Sequence, residues 1–113
     1  MAKIKCKYDE IIDLHKLVGH KNNANKHPDN QVKLLAKNID FQGWRLPIIV
    51  SNRSGMVVAG HGRMLAAEKL KEEKVPVVYQ DFETEAQEYA FLISENKLSE
   101  LAQHDDAIMI DTL

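Results

Sequence analysis

Met56-Val57-Val58-Ala59-Gly60-His61-Gly62-Arg63-Met64-Leu65-Ala66-Ala67-Glu68-Lys69-Leu70 is the stretch whose reading decides the fold. A short apolar run reads as a buried strand, the chain turns at Gly60 and Gly62, and helix-favouring residues follow. A strand that feeds a helix through glycines leaves free backbone N–H groups at one spot, with the positive end of the helix dipole behind them. Gly60 and Gly62 have no side chain to hold a ligand away, and Arg63 offers a planar fork matched to phosphate oxygens. The stretch is therefore read as an anion site, with phosphate the expected anion. A plain strand–turn–helix accounts for the same glycines on residue types alone. Energetics also limit the loop. A helix terminus contributes ~0.3–1 kcal/mol when exposed and ~2 when partly buried, and an arginine contact ~1.5–3. Micromolar binding needs ~8 kcal/mol, so a nucleotide site requires further residues from elsewhere in the chain.

Working outward, Leu46-Pro47-Ile48-Ile49-Val50 reads as a strand joined to Met56–Ala59 by the turn Ser51-Asn52-Arg53-Ser54-Gly55. Val75-Pro76-Val77-Val78-Tyr79 is another strand. Before the hairpin, Pro28 and Asp29 suit the start of a helix, and Val32, Leu35, Ala36 and Ile39 give it one buried face ending near Gly43. Trp44 is expected as a core or rim anchor. Residues 3–8 alternate Lys with Ile4, Cys6 and Tyr8, the pattern of an edge strand. The apolar cluster Ile11 to Val18 is expected around a short turn or helix, and the polar loop 19–27 as turns. Thr84-Glu85-Ala86-Gln87 is a capping box that starts a helix at Glu85, with Ala86, Tyr89, Ala90 and Ile93 as its buried face. Ser94-Glu95-Asn96-Lys97 is expected to interrupt that helix, and His104-Asp105-Asp106 to start another.

The 113 residues suit a single domain of ordinary soluble composition, 44% apolar and 28% charged. No apolar run reaches membrane length and no signal peptide is visible, so no membrane role is expected. The lone Cys6 excludes an internal disulfide and fits a cytoplasmic setting. A net charge of −2 argues against strong sequence-independent DNA binding. The charge is unevenly spread, however: residues 1–45 carry nine Lys/Arg against five Asp/Glu, and that basic half can meet phosphates. No paired-Cys or His-Glu-x-x-His spacing, nucleophile elbow or Walker loop occurs.

In their order along the chain, the Asn-rich loop, the Ala59-Gly60-His61-Gly62-Arg63-Met64-Leu65-Ala66-Ala67 segment, the Val-Pro-Val strand and Ile93-Ser94-Glu95-Asn96-Lys97-Leu98 resemble the N-terminal domain of ParB-type proteins, over about residues 4–106. The resemblance implies an α/β domain of ParB/sulfiredoxin type, a small mixed sheet flanked by helices. It is nearest the phage and prophage form, often labelled a ParB-like nuclease domain and often preceding a DNA methyltransferase. Residues 1–113 are accordingly expected to be the N-terminal part of a longer protein in a bacterial or phage-infected cytoplasm. DNA, a second copy and a linked or separate methyltransferase are the expected partners. The resemblance also implies a site for a nucleoside triphosphate, CTP or ATP, with magnesium. Gly60, His61, Gly62 and Arg63 match its phosphate loop, and Glu95 and Asn96 match the segment beside phosphate and metal. Asn23, Asn25 and His27 fall where base or ribose is contacted. His61 and Glu95 are the candidates for a catalytic role, His61 by orienting or protonating phosphate and Glu95 as a magnesium ligand; a metal-assisted nuclease and a ligand-free interaction module are the alternatives. The chain departs from partitioning proteins in having His61-Gly62-Arg63 in place of Glu-Arg-Arg, and Asn25 or Lys26 in place of the first-box arginine. His61 also stands where sulfiredoxin has its catalytic cysteine, so sulfinic acid repair is not expected.

Overall fold

The computed structural model describes the backbone of residues 2–23 and 27–104. Four strands form one mixed sheet: β1 (Glu10–Asp13), β2 (Ile48–Ser51), β3 (Val57–Ala59) and β4 (Lys74–Gln80), in the order β1-β4-β2-β3. β2 and β3 pair antiparallel as the expected hairpin, β4 runs parallel to β2, and β1 closes the far edge antiparallel to β4. Among the described residues three α-helices accompany the sheet, α1 (Asp29–Gln42), α2 (His61–Lys69) and α3 (Glu85–His104), with a 3-10 turn at Leu14–Lys16. This is the small mixed sheet with flanking helices that the sequence predicts. No helix among the described residues is long and apolar enough to cross a membrane.

The core lies where α1 and α2 pack on each other and on the sheet. Val32, Ala36 and Ile39 of α1 and Ala66 and Ala67 of α2 cluster with Ile48, Val50, Val57, Val75 and Val77. Each large aliphatic side chain fully buried there contributes about 1.5–3 kcal/mol. The small Ala66 and Ala67, both fully buried, let α2 lie close to its neighbours. Trp44 is fully buried as the anchor between α1 and β2.

Pro76 sits in a central strand, a position that normally excludes proline. The Leu14 N–H donates to the Glu73 carbonyl, which puts the Ile11–Pro76 pair at a position where no ladder bond forms. The parallel pairing to β2 begins one residue later, at Val77. The missing N–H is therefore not called on by either neighbour.

Three expectations change. Residues 3–8 do not form a strand: a single bridge joins Ile4 to Trp44, and the edge strand is Glu10–Asp13. The alternation still reports exposure correctly, with Lys3, Lys5 and Lys7 out and Ile4 and Cys6 partly covered. The free edge of β4, however, takes Asp9 to Leu14 as its partner. Ser94-Glu95-Asn96-Lys97 does not break α3, which runs unbroken through it because the segment holds neither Gly nor Pro. The expected buried face of α3 is also rotated. Ala86, Tyr89 and Ala90 are exposed and Ile93 is half-buried, while Glu88 and Leu92 are the buried positions among the residues of α3 whose exposure is described. Thr84 caps α3 as expected, the Gln87 N–H donating to Thr84 Oγ1 at 3.1 Å, but the return bond falls one residue earlier than in a capping box: Gln87 Oε1 accepts the Glu83 N–H at 2.9 Å. The helix start expected at Asp105-Asp106 lies outside the described residues.

Gly43 ends α1 with φ of 83°, its N–H bonded to the Ile39 carbonyl at 2.7 Å. A Cβ at this position would run into the Lys3 carbonyl oxygen, which itself accepts the Trp44 N–H. Strain and clash therefore add. Gly43→Ala is expected to lower stability by about 3 kcal/mol, read as a drop in urea midpoint at unchanged slope.

Candidate functional site

β3 delivers the chain to Gly60, whose φ of 93° and ψ of 22° turn it into α2. A side chain at Gly60 would be strained there and would press on Ile48, with a Cβ 3.3 Å from its backbone. Gly60 at the N-cap of α2 has no side chain to cap it, and among the described residues none accepts the first N–H groups of the helix, at His61, Gly62 and Arg63. Over this turn lies His27, whose ring would stand 3.2 Å from a Cβ placed on Gly62, with Leu35 at 3.0 Å. His27 Nδ1 is in turn 3.0 Å from Gln31 Oε1. His27 and the start of α2 thus stand together.

His61 faces inward. It is 9% exposed, and its Nε2 accepts the His20 N–H at 3.3 Å. Burial, then the charges of His27 and His20, push its pKa down to about 4, against a hydrogen bond to the Val57 backbone. A neutral ring with its Nε2 lone pair already used does not suit the role expected of it, orienting or protonating a phosphate oxygen. Its contribution is to tie the start of α2 to the loop at His20.

Arg63 is half-buried beside α1 and Trp44. Burial pulls its guanidinium below the usual arginine range, while the carboxylate of Glu95 acts against that shift. α3 thus brings Glu95 within electrostatic reach of Arg63. Asn96 follows Glu95 on α3 and is half-buried. Asn23 lies in the turn after His20, its N–H bonded to the His20 carbonyl at 3.0 Å. Asn25 lies outside the described residues.

The sequence did not reveal what holds these pieces together. Glu88 is fully buried, and two segments, the loop at His20 and the β2–β3 turn, converge on its carboxylate. His20 Nε2 is 2.8 Å from Oε2; Oε1 accepts the Ser51 hydroxyl and lies 3.3 Å from Arg53 Nε. Since His20 Nδ1 accepts the Asn22 N–H at 3.1 Å, the ring proton sits on Nε2 and is donated to Glu88. Ser51 Oγ also accepts the N–H groups of Arg53 and Ser54. Burial pushes the Glu88 carboxyl up, but the hydrogen bonds from Ser51, His20 and Ser54 and the charge of Arg53 outweigh it and hold it below the ordinary glutamate value. Its partners lie 37 and 68 residues away, so no local pattern announces the cluster.

With this geometry in place, comparison with known proteins is informative. The family model described as the ParB N-terminal domain matches residues 3–97. The chain belongs to the ParB N-terminal domain family. It is 40% identical over 65 residues to the Escherichia coli (strain K12) ParB-like nuclease domain-containing protein YnaK, covering 58% of this chain and 74% of that protein. It is 30% identical over 105 residues to a probable chromosome-partitioning protein ParB of Rickettsia typhi, covering 92% of this chain and 36% of that one. Among solved structures, the C-terminally truncated chromosome-partitioning protein ParB from Caulobacter crescentus, complexed with CTP-γ-S, shares the fold at a TM-score of 0.65 and 20% identity, over 77% of this chain and 51% of that chain. A free serine kinase in complex with AMP shares it at a TM-score of 0.57 and 19% identity, over 74% of this chain and 35% of that chain. The chain therefore spans about a third of the Rickettsia protein and half of the Caulobacter chain.

Two consequences are measurable. Glu88→Ala leaves the His20, Ser51 and Arg53 donors, among others, around an empty acceptor position and is expected to cost about 3 kcal/mol or more, with Glu88→Gln milder, both read by urea unfolding. His61 has a folded pKa below its unfolded value near 6.5, so protonation favours the unfolded chain. Its contribution is complete above pH 6.5 and is lost as pH falls toward 4. The protein is expected to be about 2 kcal/mol less stable at pH 5 than at pH 7, and His61→Asn to flatten that dependence. Glu88, held low, loses its share only at still lower pH.

Proposed function

We propose that this chain is a ParB-like module that binds a nucleoside triphosphate, CTP or ATP, and acts on DNA within a partition-like or phage DNA-modification protein. The observation that carries the reading is the uncapped N-terminus of α2, entered through left-handed Gly60 and flanked by His27 and Arg63. Membership of the family supports it, as do the 30% identity to a probable partitioning protein and the nucleotides bound in two fold neighbours, CTP-γ-S and AMP.

In this reading the N–H groups of His61, Gly62 and Arg63 receive phosphate oxygens, Arg63 clamps their charge, and Asn96 donates its amide to them. His27 and Asn23, on the loop beside α2, contact base or ribose. His61 holds that loop in place as a neutral ring. Magnesium commonly takes one or two protein carboxylates and completes its shell with phosphate and water, so Glu95 as a single ligand fits; when bound, the ion neutralises phosphate charge. Among the described residues no three His, Cys, Asp or Glu side chains stand together as a metal site, which favours nucleotide binding over a two-metal nuclease.

Calorimetry with CTP, ATP, GTP and UTP, with and without magnesium, tests the proposal. One nucleotide is expected to bind saturably, Asn96→Ala to weaken it about tenfold, and Glu95→Gln to remove the magnesium dependence. Absence of binding by the folded parent overturns the nucleotide reading. Magnesium-dependent nicking of plasmid DNA, lost in Glu95→Gln, replaces it with the nuclease.

A further inference from the structure

The alternation of lysines near the start of the chain has an outcome in the fold. Trp44 donates its backbone N–H to the Lys3 carbonyl at 2.7 Å, and its own carbonyl accepts the Lys5 N–H at 2.8 Å. Ile4, between the two lysines, packs against the core, so Lys3 and Lys5 share the opposite side of the segment. With Phe41, at the end of α1, they line a cleft of about 560 Å³, within the range of ligand sites. Phe41 is 90% exposed, the most exposed large apolar side chain among the described residues. Lys37 stands one helical turn before it and is also exposed. Among the described residues, Lys3, Lys5 and Lys37 have no ion-pair partner within 4 Å. Two carboxylates line the same cleft. Glu72 is buried, and its Oε1 accepts the Ala2 N–H at 2.7 Å; Asp40 is exposed. A lone exposed apolar residue is ordinary. What singles out Phe41 is its company, a bare ring beside three ammonium groups that no carboxylate neutralises.

We propose that this cleft binds single-stranded DNA, with an unpaired base stacked on Phe41 and the adjoining phosphates on Lys3, Lys5 and Lys37. An aromatic face beside cations complements the two halves of a nucleotide, its π-face and its phosphate. In a duplex each base is already stacked and paired, so the ring finds no free face there; an unpaired strand offers one at every nucleotide. Asp40 repels phosphate but accepts an N–H from a base amino group, which puts the base on its side of the cleft and the backbone on the lysine side. The inference rests on the reading of the chain as a module that acts on DNA, and adds the surface and the form of DNA. The cleft contains none of the residues assigned to the nucleotide.

A fluorescein-labelled DNA strand of about 16 nucleotides, alone and annealed to its complement, is titrated with the protein and followed by anisotropy. The free strand is expected to bind about tenfold tighter than the duplex, Phe41→Ala to weaken it about tenfold, and Phe41→Trp to bind as the parent does. Replacing Lys3 and Lys5 together by Gln is expected to lower the slope of log affinity against log salt by about 1.4. All three side chains are exposed, so the variants are expected to keep the parent's urea midpoint, and Phe41→Ala to bind nucleotide in calorimetry as the parent does. A duplex bound as tightly as the free strand, or a strand affinity indifferent to Phe41→Ala, overturns the proposal and leaves the DNA reading standing. Failure of the folded protein to bind either form overturns both, and the Phe41 face then belongs to a protein partner.

Discussion

A carboxylate with no exposure to water sets the arrangement of this domain. An unpaired ion in Glu88's position costs several kcal/mol, so α3 can turn Glu88 inward only if donors meet it there. They come from two places: His20 in the loop before α1, and Ser51 and Arg53 at the β2–β3 turn. Once Glu88 is fixed, the helical period fixes the rest of α3. Leu92 follows one turn later and is fully buried, and Glu95 and Asn96 fall on the same side another turn on. The electrostatic link between Glu95 and Arg63 is thus a consequence of where Glu88 is held.

The same cluster reaches the start of α2 by a second route. The His20 side chain is spent on Glu88, while its backbone N–H is spent on His61. A parallel bridge between Gly19 and Val57, with the Val57 N–H on the Val18 carbonyl, aligns the loop with β3. α3, the 18–23 loop and the first turn of α2 are therefore joined by hydrogen bonds through one residue. His61, the side chain in the middle of the glycine loop, serves this connection from the inside.

Much of the fold was legible before the structure. The helix face of Val32, Ala36 and Ile39, the hairpin around Ser51–Gly55, the Thr84–Gln87 cap and the turn at Gly60 are signals contained within a few residues, and each is where it was expected. The failures share one cause. Residues 3–8 carry a strand's alternation, but among the described residues their backbone pairs only with Trp44, because β4's open edge had already taken Glu10–Asp13. α3 carries an apolar face at Ala86, Tyr89 and Ala90, yet Tyr89 is 46% exposed and the helix is turned so that a glutamate lies inside. Periodicity assumes that charge seeks water, and here distant donors reverse that preference.

The sequence by itself determined the family, the element types and the glycine turn into α2, because backbone conformation at Gly60, apolar period and turn chemistry are local properties. Tertiary structure alone decided which face of α3 is buried and that His61 is neutral and turned inward. Each of those depends on the burial of a polar group and on the partner that meets it, and both come from residues far away in the chain.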